Sequence, residues 1–445
     1  MLNHLKRVII AFLILAVFPL SANAYLFETV TAGLTHFYEQ GNKILNGVFM
    51  RELPEEIIFY GDGFYLINEE GLSDFEIVEK YKYYTQFYFN DEFLEALGAD
   101  DKTIGKMRRI PGIKIWYTEE RDEISSFKGV YLTGYTANSK KGFEILDDLR
   151  EMGANTIVFD VKETGGRLTY ESKVPLARDV GANSGIINDL PKWINIMKNK
   201  GFYVVARLTA FKDPFLLQKR PEFAIKNNYT KKPWETREGV VWTDSSLPEM
   251  QNYILDIAEE VAIAGVDEIQ FDYIRFPTMG NVAATDYYFD ETKYEKHEII
   301  TGFLRRARER LKVRIGVDLY GIMAWNDGYD VIYTGQKVTD IADYVDVIYP
   351  MVYPSHFGYG FNGYARPGDE PYYFVQKTSK NFVDIVGDRA LIMPWLQAFP
   401  YRVSNYGIGY VKTQIKALTD IDMHSFVLWN SQGNYGEVLD VFKDE

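Results

Sequence analysis

From residue 129 onward the chain alternates short apolar runs with longer stretches in which apolar residues return every third or fourth position. Eight runs stand out: Gly129–Tyr135, Thr156–Lys162, Tyr203–Phe211, Glu268–Phe276, Arg314–Gly321, Asp346–Pro354, Leu391–Phe399 and Ser425–Asn430. Each is rich in Val, Ile, Tyr and Phe without strict alternation, the pattern of strands buried on both faces of a parallel sheet. Between them, Phe143, Leu146, Leu149 and Met152 line one helical face, and Ile254, Ile257, Val261 and Ala264 line another. Gly153, Gly201 and Gly265 each fall shortly before a strand, where a helix C-cap needs positive φ. Eight such units over roughly 310 residues predict an α/β fold, a (β/α)8 TIM barrel. A doubly wound open sheet is the alternative, but its first turn is usually Gly-rich. Here the first run is followed by Thr136-Ala137-Asn138-Ser139.

The region before the barrel has a different texture. Lys6 and Arg7 precede an apolar run from Val8 to Leu20, and Ala22-Asn23-Ala24 follows. A positive start, a short apolar stretch and an A-x-A site predict a secretory signal peptide over residues 1–24. The run is shorter than the about 20 residues of a bilayer span, so no integral membrane span is expected after cleavage. The expected location is outside the cytoplasm: periplasmic or extracellular, in a bacterial envelope. Residues 25–128 read as a small α+β accessory region, and 129–445 as the barrel. Within the former, Gly61-Asp62-Gly63 between two apolar-aromatic runs predicts a β-hairpin over Glu55–Asn68. A short strand is expected at Ile113–Tyr117.

Composition narrows the chemistry. The absence of cysteine excludes disulfides, zinc–thiolate sites, iron–sulfur clusters and thiol nucleophiles. A net charge of −14 argues against nucleic acid, which needs a basic footprint, and makes a polyanionic glycan a poorer expectation. Neither H-E-x-x-H nor G-x-S-x-G occurs, and the five histidines are scattered, so neither a metal nor a cofactor is expected. Aromatics, by contrast, are abundant, with 33 tyrosines among them.

Barrel enzymes place their reacting groups at the C-terminal ends of the strands. Those positions here hold Asp160, Lys162 and Glu163 on the second strand, Arg207 and Thr209 on the third, and Gln270, Asp272 and Arg275 on the fourth. The fifth has Asp318 and Tyr320, the sixth Tyr349, Tyr353 and His356, the seventh Trp395 and Gln397, and the eighth Trp429 and Asn430. Carboxylates on three strands beside arginine and aromatics suggest sugar chemistry. Glycosidic cleavage needs one carboxyl to protonate the leaving oxygen and another to attack carbon or activate water. Asp272 and Asp318, on adjacent strands, are the expected catalytic pair. Asp160, Lys162, Arg207, Gln270, Arg275, Tyr320, Tyr349, Tyr353, Trp395, Gln397 and Trp429 are the expected substrate contacts. Duller readings stand beside these: Asp160 with Lys162 as an internal ion pair, and Arg275 as the partner of a carboxylate. The loops Lys212–Asp244 and Thr278–Asp290, with Trp234, Trp242, Tyr287 and Tyr288, are expected to shape the substrate site. A barrel that binds glycan without cutting it, or an inert envelope scaffold, would use the same aromatics.

The segments Gly129–Thr133, Thr156–Lys162, Phe271–Pro277 (FDYIRFP) and Val317–Gly321 (VDLYG) together resemble a family of glycoside hydrolase domains. That family is catalogued as a domain of unknown function with a predicted glycosidase barrel, similar at a distance to α-amylase-like and dextranase-like barrels. The resemblance covers about Lys128 to Gly433 and implies action on a carbohydrate. Carried over strand by strand, it implies Asp272 as nucleophile and Asp318 as general acid. The better-known relatives place a glutamate where Asp318 stands, and a His-Asp pair where this chain has Pro394-Trp395-Leu396-Gln397.

Overall fold

The computed structural model describes residues 126–325 and 329–444, together with three short strands nearer the N-terminus. The chain divides into two units, Met1–Asp122 and Glu123–Glu445. In the first, Ile57–Tyr60 pairs antiparallel with Phe64–Ile67, in the register Ile57↔Ile67 to Tyr60↔Phe64. This is the expected hairpin. Ile113–Ile115 adds to it in parallel. The expected signal peptide lies outside the described residues, and no helix among the described residues is long and apolar enough to cross a membrane.

The second unit is a closed barrel of eight parallel strands. They are β1 (Lys128–Leu132), β2 (Thr156–Lys162), β3 (Tyr203–Thr209), β4 (Glu268–Asp272), β5 (Arg314–Tyr320), β6 (Val347–Met351), β7 (Trp395–Gln397) and β8 (Phe426–Trp429). Each pairs with the next, and β8 closes on β1 through Phe426↔Lys128. The (β/α)8 expectation is met. Helices return the chain between strands, with Phe143, Leu146 and Leu149 buried on one and Ile254, Ile257 and Val261 on another. Gly153, Gly201 and Gly265 have φ of 92°, 84° and 101°, the left-handed conformation that ends a helix.

Several boundaries differ from the sequence reading for physical reasons. The seventh run splits into Leu391–Ile392 and Trp395–Gln397 around Pro394, which has no N–H for the ladder. The fourth stops at Asp272 because Tyr273 turns to φ 52°. After β2 the chain forms an unexpected antiparallel strand, Leu168–Tyr170, which pairs in parallel with Asn183–Ile187. At three and five residues these were too short to show a period.

The barrel interior is aromatic and β-branched, with Tyr131, Val158, Val205, Val347, Tyr349 and Trp395 at its heart. Glycine makes that filling possible: a Cβ at Gly316 would lie 2.1 Å from Glu268 Oε1 and 2.7 Å from Tyr349 Cε2. Glu268 itself is fully buried and accepts hydrogen bonds from Tyr203 Oη (2.9 Å) and Tyr349 Oη (2.7 Å). Burial pushes its carboxyl up to about 7 despite these donors.

Candidate active site

The C-terminal strand ends converge on one buried cation. Arg207, from β3, donates through Nη1 to Asp160 Oδ1 (2.5 Å), from β2. Its Nε and Nη2 both donate to Asp272 Oδ2 of β4, with Nε at 3.1 Å. The same Nε is 3.7 Å from Asp318 Oδ2 of β5. Its guanidinium also lies 5.1 Å from the ring centre of Trp429 and 5.6 Å from that of Tyr131. Three strand-end carboxylates therefore share one arginine that is 2 % exposed. Such burial is tolerable only because the charges compensate one another.

Each carboxylate has a further donor. Asp160 accepts from Tyr131 Oη (2.6 Å), Asp318 accepts from Trp395 Nε1 (2.6 Å), and Asp272 Oδ1 accepts from the N–H of Tyr273 (2.5 Å). The last contact goes with the unusual backbone of Tyr273, since a bulky residue at positive φ is strained, and such strain gathers at functional sites. Asp272 and Asp318 flank one nitrogen, so their Oδ2 atoms can be no farther apart than 3.1 plus 3.7 Å, or 6.8 Å. Burial first, then the negative charge of Asp272, pushes the Asp318 carboxyl well above the usual carboxylate range, with Arg207 and Trp395 opposing. Burial likewise raises Asp160.

A cleft of about 670 Å³ opens over this cluster. Of the expected residues it is lined by Arg207, Asp272, Arg275, Asp318, Tyr320, Tyr353, Trp395 and Trp429. Asp160 stands one bond behind, reaching the cleft only through Arg207. The structure keeps four others from its wall. Tyr349 and Gln270 are fully buried among the barrel strands. Gln397 is buried, taking the N–H of Ser355 and donating to the carbonyls of Phe399 and Tyr401, which braces the loops after β6 and β7.

Lys162 is the fourth. It pairs with Asp213 Oδ2 (2.9 Å) and donates to the Thr209 carbonyl (3.0 Å), both charged side chains being wholly buried. The Asp160–Lys162 ion pair does not form, because the β2–β3 register shifts between the two residues and takes Lys162 off the phase of Asp160. Lys162→Met is expected to cost about 3 kcal/mol by stranding Asp213. Turnover per folded molecule should stay unchanged; urea titration with assays on the folded fraction checks both.

A family model described as "Putative glycosyl hydrolase domain" matches residues 129–435. The chain belongs to this glycosyl hydrolase family. Among solved structures it is similar to a hypothetical protein from Ruminiclostridium thermocellum ATCC 27405, at 35% identity over 43% of this chain and 97% of that one, with a TM-score of 0.40. It is also similar to the glycoside hydrolase domain of PgaB (BpsB) from Bordetella bronchiseptica, at 13% identity over 72% of this chain and 98% of that one, with a TM-score of 0.56. The second likeness is one of fold. No curated protein matches the chain in sequence.

The cleft of this glycosyl hydrolase family member also contains residues the sequence reading passed over. Gln336, buried, donates to the carbonyls of Asp318 (3.2 Å) and Ile274 (3.4 Å) and accepts from the N–H of Tyr320 (3.2 Å). It thus ties the ends of β4 and β5 together. Thr164, Tyr273, Thr278, Met351, Phe357 and Ser431 complete much of the wall. Two of these had a signal: Tyr273 in its place beside Asp272, and Thr278 at the start of a loop expected to shape the site. Of the long-loop aromatics, Trp242 packs on the cleft residues Tyr273 and Arg275, whereas Trp234 and Tyr287 serve a different purpose from the one expected. Trp234 is buried and donates to the Asn281 carbonyl (3.0 Å), and Tyr287 packs on Phe276 and Phe289. Lys226–Asn227 pairs with Thr285–Asp286. Trp234 ties the first loop to the second and Tyr287 packs the second against Phe276, just beyond β4, while Tyr229 and Tyr288 face solvent.

Proposed function

We propose that the chain is an exported glycoside hydrolase that cleaves O-glycosidic bonds of a poly- or oligosaccharide with Asp272 and Asp318. The observation that carries this is the single Arg207 Nε lying against both carboxylates beneath an open cleft. The limit of 6.8 Å on the separation of their nearest oxygens accommodates the retaining spacing of about 5–5.5 Å, and reaches only the short end of the inverting range, about 6.5–9.5 Å.

On this reading the two acids divide the work. Asp318, raised by burial and by its neighbour's charge, is the acid that keeps its proton to higher pH and delivers it to the leaving oxygen. Asp272, accepting from Arg207 and the Tyr273 N–H, attacks the anomeric carbon as the glycosidic C–O bond breaks. Water then displaces Asp272 and returns a proton to Asp318, so the sum is hydrolysis. Asp160 and Tyr131 hold Arg207 from behind. Trp429, Tyr320, Tyr353 and Phe361 offer faces on which sugar rings stack.

Incubation of the mature chain with α- and β-linked polysaccharides, scored by reducing ends, tests the proposal. Release from one of them is expected; binding with no release from any would favour the glycan-binding barrel instead. The basic limb of the pH–rate profile should lie above the ordinary carboxylate range, because activity is lost as rising pH strips the raised Asp318 of its proton. Asp318→Asn should abolish that limb together with most of the rate. Export rests on the sequence pattern of residues 1–24, and N-terminal sequencing of the secreted chain should begin at Tyr25.

A further inference from the structure

A second cationic group in the cleft has no counter-charge among the described residues. Arg275 lies three residues beyond Asp272, is 9 % exposed and lines the cleft wall. Asp272, the carboxylate nearest to it in the chain, is taken by Arg207. Among the described residues Arg275 forms no ion pair, and its one hydrogen bond runs from Nη1 to the Phe276 carbonyl (3.1 Å). Its guanidinium instead rests against rings, 4.6 Å from the centres of both Trp242 and Tyr320 and 5.5 Å from that of Tyr273. Ring contacts offset only part of what it costs to take a cation out of water. With the face of its fork against rings, the donors still free are the edge N–H groups, which match a carboxylate two at a time.

We propose that Arg275 forms a subsite for the carboxylate of an acidic sugar, a uronic acid unit at or next to the bond that Asp272 attacks. The inference rests on the hydrolase reading and names its substrate class. Proximity to the reacting group is shown by Tyr273, whose N–H donates to Asp272 Oδ1 (2.5 Å) and whose ring centre lies 5.5 Å from the Arg275 guanidinium. Tyr320, against which the guanidinium rests, is also in the cleft wall. The overall charge of −14 disfavours a polyanion on average, but recognition here is by one unpaired cation in a cleft, where local charge decides.

Calorimetric titration of the full chain with oligogalacturonides and glucuronate-bearing oligosaccharides, each beside its methyl ester, tests this. One acid should bind at least about tenfold tighter than its ester, the least expected for hydrogen bonds to a charged group. That advantage should weaken with added salt. Arg275→Gln should bring acid and ester to within about twofold while leaving the thermal midpoint in place, and Arg275→Lys should restore part of the preference. Equal binding of acid and ester, a preference surviving in Arg275→Gln, or no binding of any acid would overturn the subsite. Cleavage of neutral glycans without acid preference would sink the subsite and leave the hydrolase reading standing. Acid preference lost in Arg275→Gln, with no glycan ever cut, would do the reverse.

Discussion

Replacement of Asp272 by Asn is expected to lower kcat/KM by about 10⁴-fold, the upper end of what one positioned carboxyl contributes. The amide keeps the size of the side chain and an oxygen for Arg207, so the cleft retains its shape. It cannot form the bond to carbon, and it leaves Arg207 with one charge fewer. Binding of substrate should change little, which would place the loss in kcat. A matching fall in binding would instead mean that Asp272 holds the sugar without reacting with it.

Arg207→Ala carries the largest expected cost in stability. The substitution removes the one cation that Asp160, Asp272 and Asp318 share. Breaking a buried pair costs about 3–5 kcal/mol because its partner stays behind, and here three partners stay. We expect the upper figure, about 5 kcal/mol. The pH dependence has a definite sign. Asp160 and Asp318 are already raised by burial with Arg207 opposing, so without it their folded-state pKa values rise further above the unfolded values. The protonated cluster is therefore tolerated at low pH, and stability is lost as pH rises through the raised values. Urea unfolding between pH 4 and 8 measures this. A uniform loss at every pH would show that Arg207 matters for packing and not for charge.

The barrel was legible because its strands are buried on both sides. Thr156–Lys162 is buried along its length, and its predicted and observed ends coincide. Where strands ended early, the cause was a single backbone event, as at Tyr273 and Pro394. The candidate pair was legible for a related reason: strand-end carboxylates on neighbouring strands must face the same mouth. Which cation serves which acid was not. Asp160 and Arg207 are 47 residues apart and meet only through the β2–β3 register. Arg275, nearest in sequence to Asp272, points its charge among rings instead. A one-residue shift after Asp160 sent Lys162 to Asp213. Local pattern shows which residues reach the mouth of a barrel, whereas pairing depends on register and on loops from distant parts of the chain. The same holds for the aromatics, since Trp234 buries itself against a second loop that no periodicity relates to its own.

The central claim is that Asp272 and Asp318 together break a glycosidic bond. Its most direct test is reducing-end release from the cleaved glycan by wild type, Asp272→Asn and Asp318→Asn, each confirmed folded by circular dichroism and still binding that glycan. The account predicts steady release by the wild type and, for each variant, a fall of about 10²–10⁴-fold with binding retained. A folded Asp272→Asn or Asp318→Asn that releases sugar at the wild-type rate would contradict it.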